Sequence, residues 1–367
     1  MKHYKNIIRS IFTLLFLMNG FFSMRANCTN FSNLLDSCLS YNDEWYYAGD
    51  LHIPVSFDLK SDKESIDEAT FASNLQRDLP LSEAIYKKLE ESGNGKIFDT
   101  DIARNLYEPY TSIADRHNYV CSTLMPAAWF VDYLYYKKLI EVAIANKNRT
   151  GDEKSVVVLL AGGDGSGKTS SVRQLGLEVL DKAALIKDST MSSDFEFHRN
   201  MVERTLELGL DVVLVYVFRP IEFALYGNIQ RAQMIGRVRP LVEIAEAHYK
   251  AQQNILKLNE YFGDRIKVLV IDNSNKLGEA RLVEEGVEFL NNSQVQYPSQ
   301  EAALQRAVVA YNNMEKALIP EFIIDLLERK LNTSTIEDEG YKSESEKERW
   351  VTYLKNLLLN VAKKLGL

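Results

Sequence analysis

From residue 155 onward the chain alternates unbroken apolar runs with stretches of helical periodicity. The runs are Ser155 to Leu160, Ala183 to Ile186, Asp211 to Phe218 and Ile266 to Ile271. A Gly-rich turn and a helix follow the first, a helix from about Glu196 to Leu208 precedes the third, and a further helical region precedes the fourth. Strands apolar at every position, rather than at every second one, are buried on both faces. Their alternation with helices predicts an α/β fold around a parallel sheet.

Upstream, Ser82 to Glu91 reads as a helix and Ser92-Gly93-Asn94-Gly95 as a break. Lys96-Ile97-Phe98 then runs into Asp99-Thr100-Asp101. Residues 119–145 carry helical spacing through Leu124, Ala128, Val131, Leu134, Leu139 and Val142, and 147–152 form a polar linker. From about residue 298 the pattern is helical and charged, interrupted near Asn332 to Glu339, and there is no internal repeat. The chain divides on this reading into residues 1–26, an N-terminal extension 27–90, a main domain 91–295 and a C-terminal helical region 296–367.

The first 26 residues have a character of their own. Lys2, His3, Lys5 and Arg9 precede the apolar run Ile11 to Met18, and Gly20, Ser23 and Ala26 follow it. A basic head, a short apolar middle and a small-residue exit describe a secretory signal peptide, cleaved after Ala26. An uncleaved anchor or a buried N-terminal helix is the alternative. The run is short for a membrane span, and no second stretch of 18 apolar residues exists. The protein is exported if the signal is cleaved, and otherwise cytoplasmic or tethered by residues 1–26. Cys28 and Cys38 would lie near the mature N-terminus, paired or as unrelated thiols, with Cys121 left over. No Cys/His spacing suggests zinc.

Composition narrows the partners. The 367 residues are 46% hydrophobic and 26% charged, which suits a globular protein with a sizeable core. The 43 Lys and Arg against 51 Asp and Glu leave a net charge of −8, so nucleic acid is not an expected partner.

The chemistry centres on Gly162-Gly163-Asp164-Gly165-Ser166-Gly167-Lys168-Thr169, which fits G-x-x-x-x-G-K-[ST] throughout and is followed by Ser170. It leaves an apolar strand and opens a helix, the setting a phosphate-binding loop requires. The glycines let backbone N–H groups curl around phosphate oxygens at the helix N-terminus. Lys168 would reach the outer phosphates and the Thr169 hydroxyl would ligate Mg²⁺. The bland alternative is a Gly-rich turn that binds nothing. The fold class is therefore α/β, a P-loop NTPase-type parallel sheet with helices on both faces, plus helical N- and C-terminal extensions.

Phosphoryl transfer also needs a metal-side carboxylate, an activator of the nucleophile and cations for the spreading charge. Asp188 ends an apolar strand, where ligands sit in open α/β sheets; it is a Walker-B-like metal or substrate carboxylate, or a turn residue helped by Ser189 and Thr190. Arg231 to Arg239 holds several arginines, with Gly236 before Arg237. Guanidinium forks suit phosphate oxygens, so Arg231 and Arg237 are candidates, against a solvated basic stretch. Asn273, after Asp272, lines a nucleotide-base pocket or a plain turn. His248 is a lone helical histidine, more often a packing residue. Asn275-Lys276-Leu277-Gly278 lacks the Asp of a guanine motif, so ATP is the default donor.

These residues together resemble the zeta-toxin family of P-loop kinases, whose members include enzymes that phosphorylate UDP-N-acetylglucosamine. The loop from Gly162 to Ser170 is similar to that family's GGxPGSGKTS. Ile186-Lys187-Asp188-Ser189 resembles its Ile-Glu-Gly-Thr, without the glutamate; Arg231, Arg237 and His248 resemble its two phosphate-facing arginines and a downstream histidine. The match covers about residues 155–275. The family's Asp-x-Asp motif, expected after the P-loop helix, is missing there. Asp99-Thr100-Asp101 looks like it, moved with its helix ahead of the P-loop, and the resemblance implies that Asp101 is the general base. Such a transfer is physically cheap if its strand lies at the sheet edge. The alternative is that Asp99 and Asp101 cap the next helix. Asp132 falls near a substrate-side glutamate of the family.

The expected activity is transfer of the ATP γ-phosphate to a hydroxyl of a small molecule, by resemblance a nucleotide sugar, with ATP and Mg²⁺ as cofactors. A non-catalytic ATP-binding switch or interaction protein is the rival. A secreted toxin or effector with an antitoxin-like or host partner is a third reading, because a signal peptide exports the chain whereas ATP is scarce outside a cytoplasm.

Overall fold

The computed structural model describes residues 53, 61–147, 154–275, 279–292, 295–329 and 331. The signal peptide, Cys28 and Cys38 lie outside the described residues. No helix among the described residues is long and apolar enough to cross a membrane.

Two helices, α1 (Asp62–Arg77) and α2 (Leu79–Lys88), lead to the short strand β1 (Ile97–Asp99). Helices α3 (Thr100–Arg104), α4 (Glu108–Thr111) and the long α5 (Leu124–Lys147) follow. Strand β2 (Val156–Ala161) enters α6 (Lys168–Leu175), and the short α7 (Glu178–Lys182) precedes β3 (Ala183–Asp188). Then come α8 (Phe195–Glu207), β4 (Asp211–Phe218), α9 (Ile221–Ile235), α10 (Leu241–Phe262) and β5 (Lys267–Asp272). Strand β6 (Arg281–Leu282) and helices α11 (Gln300–Asn312) and α12 (Glu321–Glu328) complete the described chain.

The six strands form one sheet in the order β1-β3-β2-β4-β5-β6. All neighbours run parallel except β6, which pairs antiparallel with β5. The apolar runs at 155, 183, 211 and 266 become β2 to β5, with ends shifted by at most two residues. Side chains alternate between two cores, as the pleat requires. Val157, Leu159, Leu185, Leu214 and Tyr216 face the larger, which includes residues of α1, α2, α5, α10 and α11. Val158, Leu160, Ile186, Val213 and Val215 face a smaller one closed by Val172, Leu175 and Leu180 of α6 and α7. Helices thus cover both faces, unequally.

Residues on both sides of positions 90 and 295 contribute to one core. Phe71 and Leu75 of α1, Tyr86 of α2 and Ile323 and Leu327 of α12 are buried in the larger core with the sheet. The helix expected over 82–91 runs instead from Leu79 to Lys88, because Pro80 sits in its first turn and Asp78 accepts a bond from the Leu81 N–H. A 3₁₀ turn, Glu90–Ser92, follows it.

Among the described residues strand β1 is the outermost strand and pairs only with β3, in the register Ile97 to Ile186 and Asp99 to Asp188. On its other flank the fully buried Tyr86 replaces a neighbouring strand: its hydroxyl donates to the Ile97 carbonyl at 2.9 Å and accepts from the Asp99 N–H at 3.0 Å. Removing that hydroxyl leaves two strand groups unpaired, at about 1–3 kcal/mol. Tyr86→Phe is expected to lower stability by that amount in a denaturant titration, with faster hydrogen exchange at the Asp99 amide. Unchanged exchange there would show that β1 does not depend on Tyr86.

Candidate active site

β2 ends at Ala161 and the glycine-rich segment turns back over the end of the strand. Gly167 has φ +80°, in the left-handed region, and caps α6. A Cβ there would lie 2.7 Å from Asn273 Nδ2. That amide donates to the Ser166 carbonyl at 2.8 Å, so both the backbone angle and the close approach require glycine. A Cβ on Gly163 would meet the His248 ring at 2.3 Å. His248 Nε2 lies 2.9 Å from the Asp164 carbonyl oxygen, and burial pushes the imidazole down, so it is neutral at neutral pH. The loop is braced from below by α10 and by the end of β5. Lys168 Nζ donates across the loop to the Gly162 carbonyl at 3.3 Å, and the Ser170 hydroxyl to that of Gly167 at 3.0 Å.

The loop fits a polyphosphate. It opens on the first turn of α6, whose N–H groups have no helical acceptors. The Ser166 hydroxyl is buried without a partner. On the metal side, the Thr169 hydroxyl donates to Asp188 Oδ2 at 3.4 Å. One hydroxyl and one carboxylate form the minimal protein share of a Mg²⁺ site completed by phosphates and water. Among the described residues no group of three or more His, Cys, Asp or Glu side chains could hold a metal unaided.

The register of β1 against β3 brings Asp99 beside Asp188. Asp99 caps α3, accepting from the Asp101 N–H at 2.7 Å. Asp101 is not a cap. Its carboxylate pairs with Arg237 at 2.5 Å and Arg104 at 3.6 Å, and its side chain keeps 37% exposure. Burial pushes Asp101 up, but Arg237, Arg104 and Arg231 outweigh it and the net direction is down. Asp188 goes up through burial; the Lys168 charge pulls against that and the Asp101 charge adds to it. Asp101, Asp188 and Lys168 therefore share one cleft.

The arginine segment is packed rather than loose. Gly236 (φ +69°) ends α9 with its N–H bonded to the Ala232 carbonyl at 2.7 Å. Val238 is buried in the larger core. Its two neighbours serve the site: Arg237 reaches Asp101, and Arg239 reaches Asp164 at 2.8 Å and Glu243 at 3.1 Å. Burial pushes Asp164 up, yet Arg239 and Lys168 draw it well below the usual carboxylate range. Arg231 donates to Asn228 Oδ1 at 2.7 Å, while its Nε is buried without a partner.

The structure thus gathers Lys168, Thr169, Asp188, Asp101, Arg231 and Arg237. Asn273 is buried, and its Nδ2 holds the loop through the Ser166 carbonyl. Asp272 pairs with Arg281 of β6. Asp132 is paired with Lys187. Sequence reasoning missed the tie between Asp164 and Arg239. Its signal was an acid inside a loop that otherwise needs small residues, on a chain whose arginines cluster downstream.

No family model matches the chain, and no curated protein matches it. Solved structures similar to part of it include two complexes. One is the AvrRxo1-ORF1:AvrRxo1-ORF2 complex with sulphate ions, at 15% identity and a TM-score of 0.29, covering 40% of this chain and 61% of that one. The other is the native AvrRxo1-ORF1:-ORF2 complex, at 12% identity and a TM-score of 0.28, covering 48% and 78%. The chain spans about 61% of the length of the first.

The carboxylate cluster has a pH signature. Burial, Asp101 and Asp188 push Asp99 up to about 8. The unfolded chain titrates this group near 4, so between about pH 4 and 8 the folded state binds a proton that the unfolded state does not. Stability therefore falls as pH rises through that window. Asp99→Asn keeps a capping oxygen and cannot ionise. Its melting temperature relative to wild type is expected to rise from pH 4 to 8 and then level off; a constant difference would refute the assignment.

Proposed function

We propose that this protein is a P-loop phosphotransferase that moves the γ-phosphate of ATP to a hydroxyl of a small molecule. The observation that carries the reading is the convergence of Asp101 and Asp188, from two neighbouring strand ends, on the mouth of the loop that carries Lys168. A phosphate loop alone serves binding as well as catalysis. A second, partly exposed carboxylate beside the metal-side one is what an acceptor hydroxyl requires.

The geometry supports the following roles. Lys168 and the loop amides hold the phosphates of the donor. Thr169 and Asp188 would hold Mg²⁺, which offsets phosphate charge when bound. The arginine pairing keeps Asp101 ionised at neutral pH, so it is able to take a proton. The acceptor oxygen forms its bond to the γ-phosphorus, the β–γ bridging P–O bond breaks with its electrons leaving on ADP, and the hydroxyl proton passes to Asp101. Arg237 and Arg231 lie within electrostatic reach of that carboxylate and balance charge spreading over the transferred group.

The zeta-toxin resemblance points to a nucleotide sugar as acceptor. Strand β1 at the sheet edge, ahead of the P-loop in the chain, supports reading Asp99-Thr100-Asp101 as the relocated motif, since only connections differ. Work as a toxin or effector in the cytoplasm of another cell, with an antitoxin-like partner, reconciles the exported N-terminal pattern with a need for ATP.

A labelled-ATP assay against nucleotide sugars, sugars and nucleosides tests the reading. Wild type is expected to label one acceptor class. Lys168→Ala should lose both ATP binding and transfer. Asp101→Asn should bind ATP as wild type does and transfer about 10²–10⁴-fold more slowly. ATP binding with no acceptor labelled, and a turnover indifferent to Asp101→Asn, would favour a nucleotide-dependent switch instead.

A further inference from the structure

Arg219 directly follows β4, beside the strand that carries the phosphate loop. It is 9% exposed and its Nε is sealed off without a partner. No acid pairs with it among the described residues, and burial alone acts on it, pushing the guanidinium down. Among the described residues this buried cation is left without a counter-charge. An isolated buried charge is costly, and such a group is retained where a ligand supplies the missing partner.

Its surroundings point the same way. The point a Cβ on Gly227 of α9 would occupy lies 3.9 Å from Arg219 Nη1 and 4.0 Å from the Gly165 carbonyl. The guanidinium therefore lies beside the tip of the phosphate loop. On α9, Asn228 Nδ2 is buried and unpartnered, and a Cβ on Gly165 would meet it at 2.5 Å. Ser166 Oγ and Arg231 Nε are likewise buried without partners. Hydrogen-bond donors without acceptors collect around one loop segment, as they do where an anion belongs.

Topology decides which anion. Asp188, Asp99 and Asp101 stand at the ends of β3 and β1, on one flank of β2; Arg219 stands at the end of β4, on the other. The acceptor side and Arg219 are therefore separated by the phosphate loop. We propose that Arg219 is a donor-side binding residue that takes a phosphate oxygen of the nucleoside triphosphate, in addition to Lys168. This rests on the reading of the loop as an ATP site.

Arg219→Met and Arg219→Lys separate ligand binding from a structural role. Melting temperatures are measured without ligand and with ATP or inorganic tripolyphosphate, alongside the dissociation constant for ATP, for these variants, wild type and Lys168→Ala. Without ligand, Arg219→Met should melt no lower than wild type, because removing an unpaired buried charge relieves strain rather than breaking a bond. Its ATP affinity should fall about 10–100-fold, the usual worth of a charged hydrogen bond. Arg219→Lys should recover part of that loss. A ligand-free Arg219→Met that melts several degrees lower would make Arg219 structural. ATP affinity unchanged in Arg219→Met but lost in Lys168→Ala would overturn this proposal alone. Failure of wild type to bind either probe would overturn it together with the ATP reading.

Discussion

The site depends on one electrostatic constraint: three carboxylates, Asp99, Asp101 and Asp188, share a cleft that excludes much of the water. Like charges at such spacing push each other's protonation up, and burial adds to the push. The cluster coexists because cations enter from other elements. Lys168 comes from the loop, Arg104 from α3, and Arg231 and Arg237 from α9 and the turn after it. The outcome is uneven. Asp101, with the most cations, stays ionised; Asp99, with the fewest, holds a proton near neutrality. One carboxyl cluster thus contains both a base and an acid-form neighbour, which is the separation that proton-transfer chemistry uses.

The arginine segment is where fold and chemistry meet. Val238 buried in the core leaves Arg237 and Arg239 projecting toward the site. Arg239 is clamped to Asp164 inside the phosphate loop, and Arg237 to Asp101 beside β1. The segment therefore spans the cleft from one side to the other. The Arg237 charge is the largest of those that hold Asp101 ionised, so loss of that pairing would raise the carboxylate's affinity for a proton.

Much of this was legible in the sequence. Strands buried on both faces wrote themselves as continuous apolar runs, and the loop motif with its flanking strand and helix marked the phosphate cradle. Asp101 and Asp188 could be named because both follow strand-like segments. What stayed hidden was pairwise. Asn273 could be placed at the end of a core strand, but the bond from its amide to the Ser166 carbonyl, which braces the loop, joins positions far apart in the chain. The buried positions that join the flanking helices to the core, Phe71, Tyr86 and Leu327 among them, carry no periodicity strong enough to stand out. Antiparallel β6, at two residues, is too short to leave any pattern.

The sheet order also shows how loosely the strand before Asp101 is tied to the rest of the sheet. β1 touches the sheet through β3 alone, and its free flank is closed by Tyr86 from α2 rather than by another strand. An edge strand needs only the right register, Asp99 beside Asp188, to deliver its acidic turn to the cleft. A central strand has no such freedom, because its two neighbours and the connections on both faces fix its order. The loop strand β2 lies between β3 and β4, and β3, β4 and β5 follow it in the chain with their connecting helices. The loop, Asp188 and the arginine segment thus lie on one contiguous stretch, while the strand that leads to Asp101 is tied to it by register and by charge.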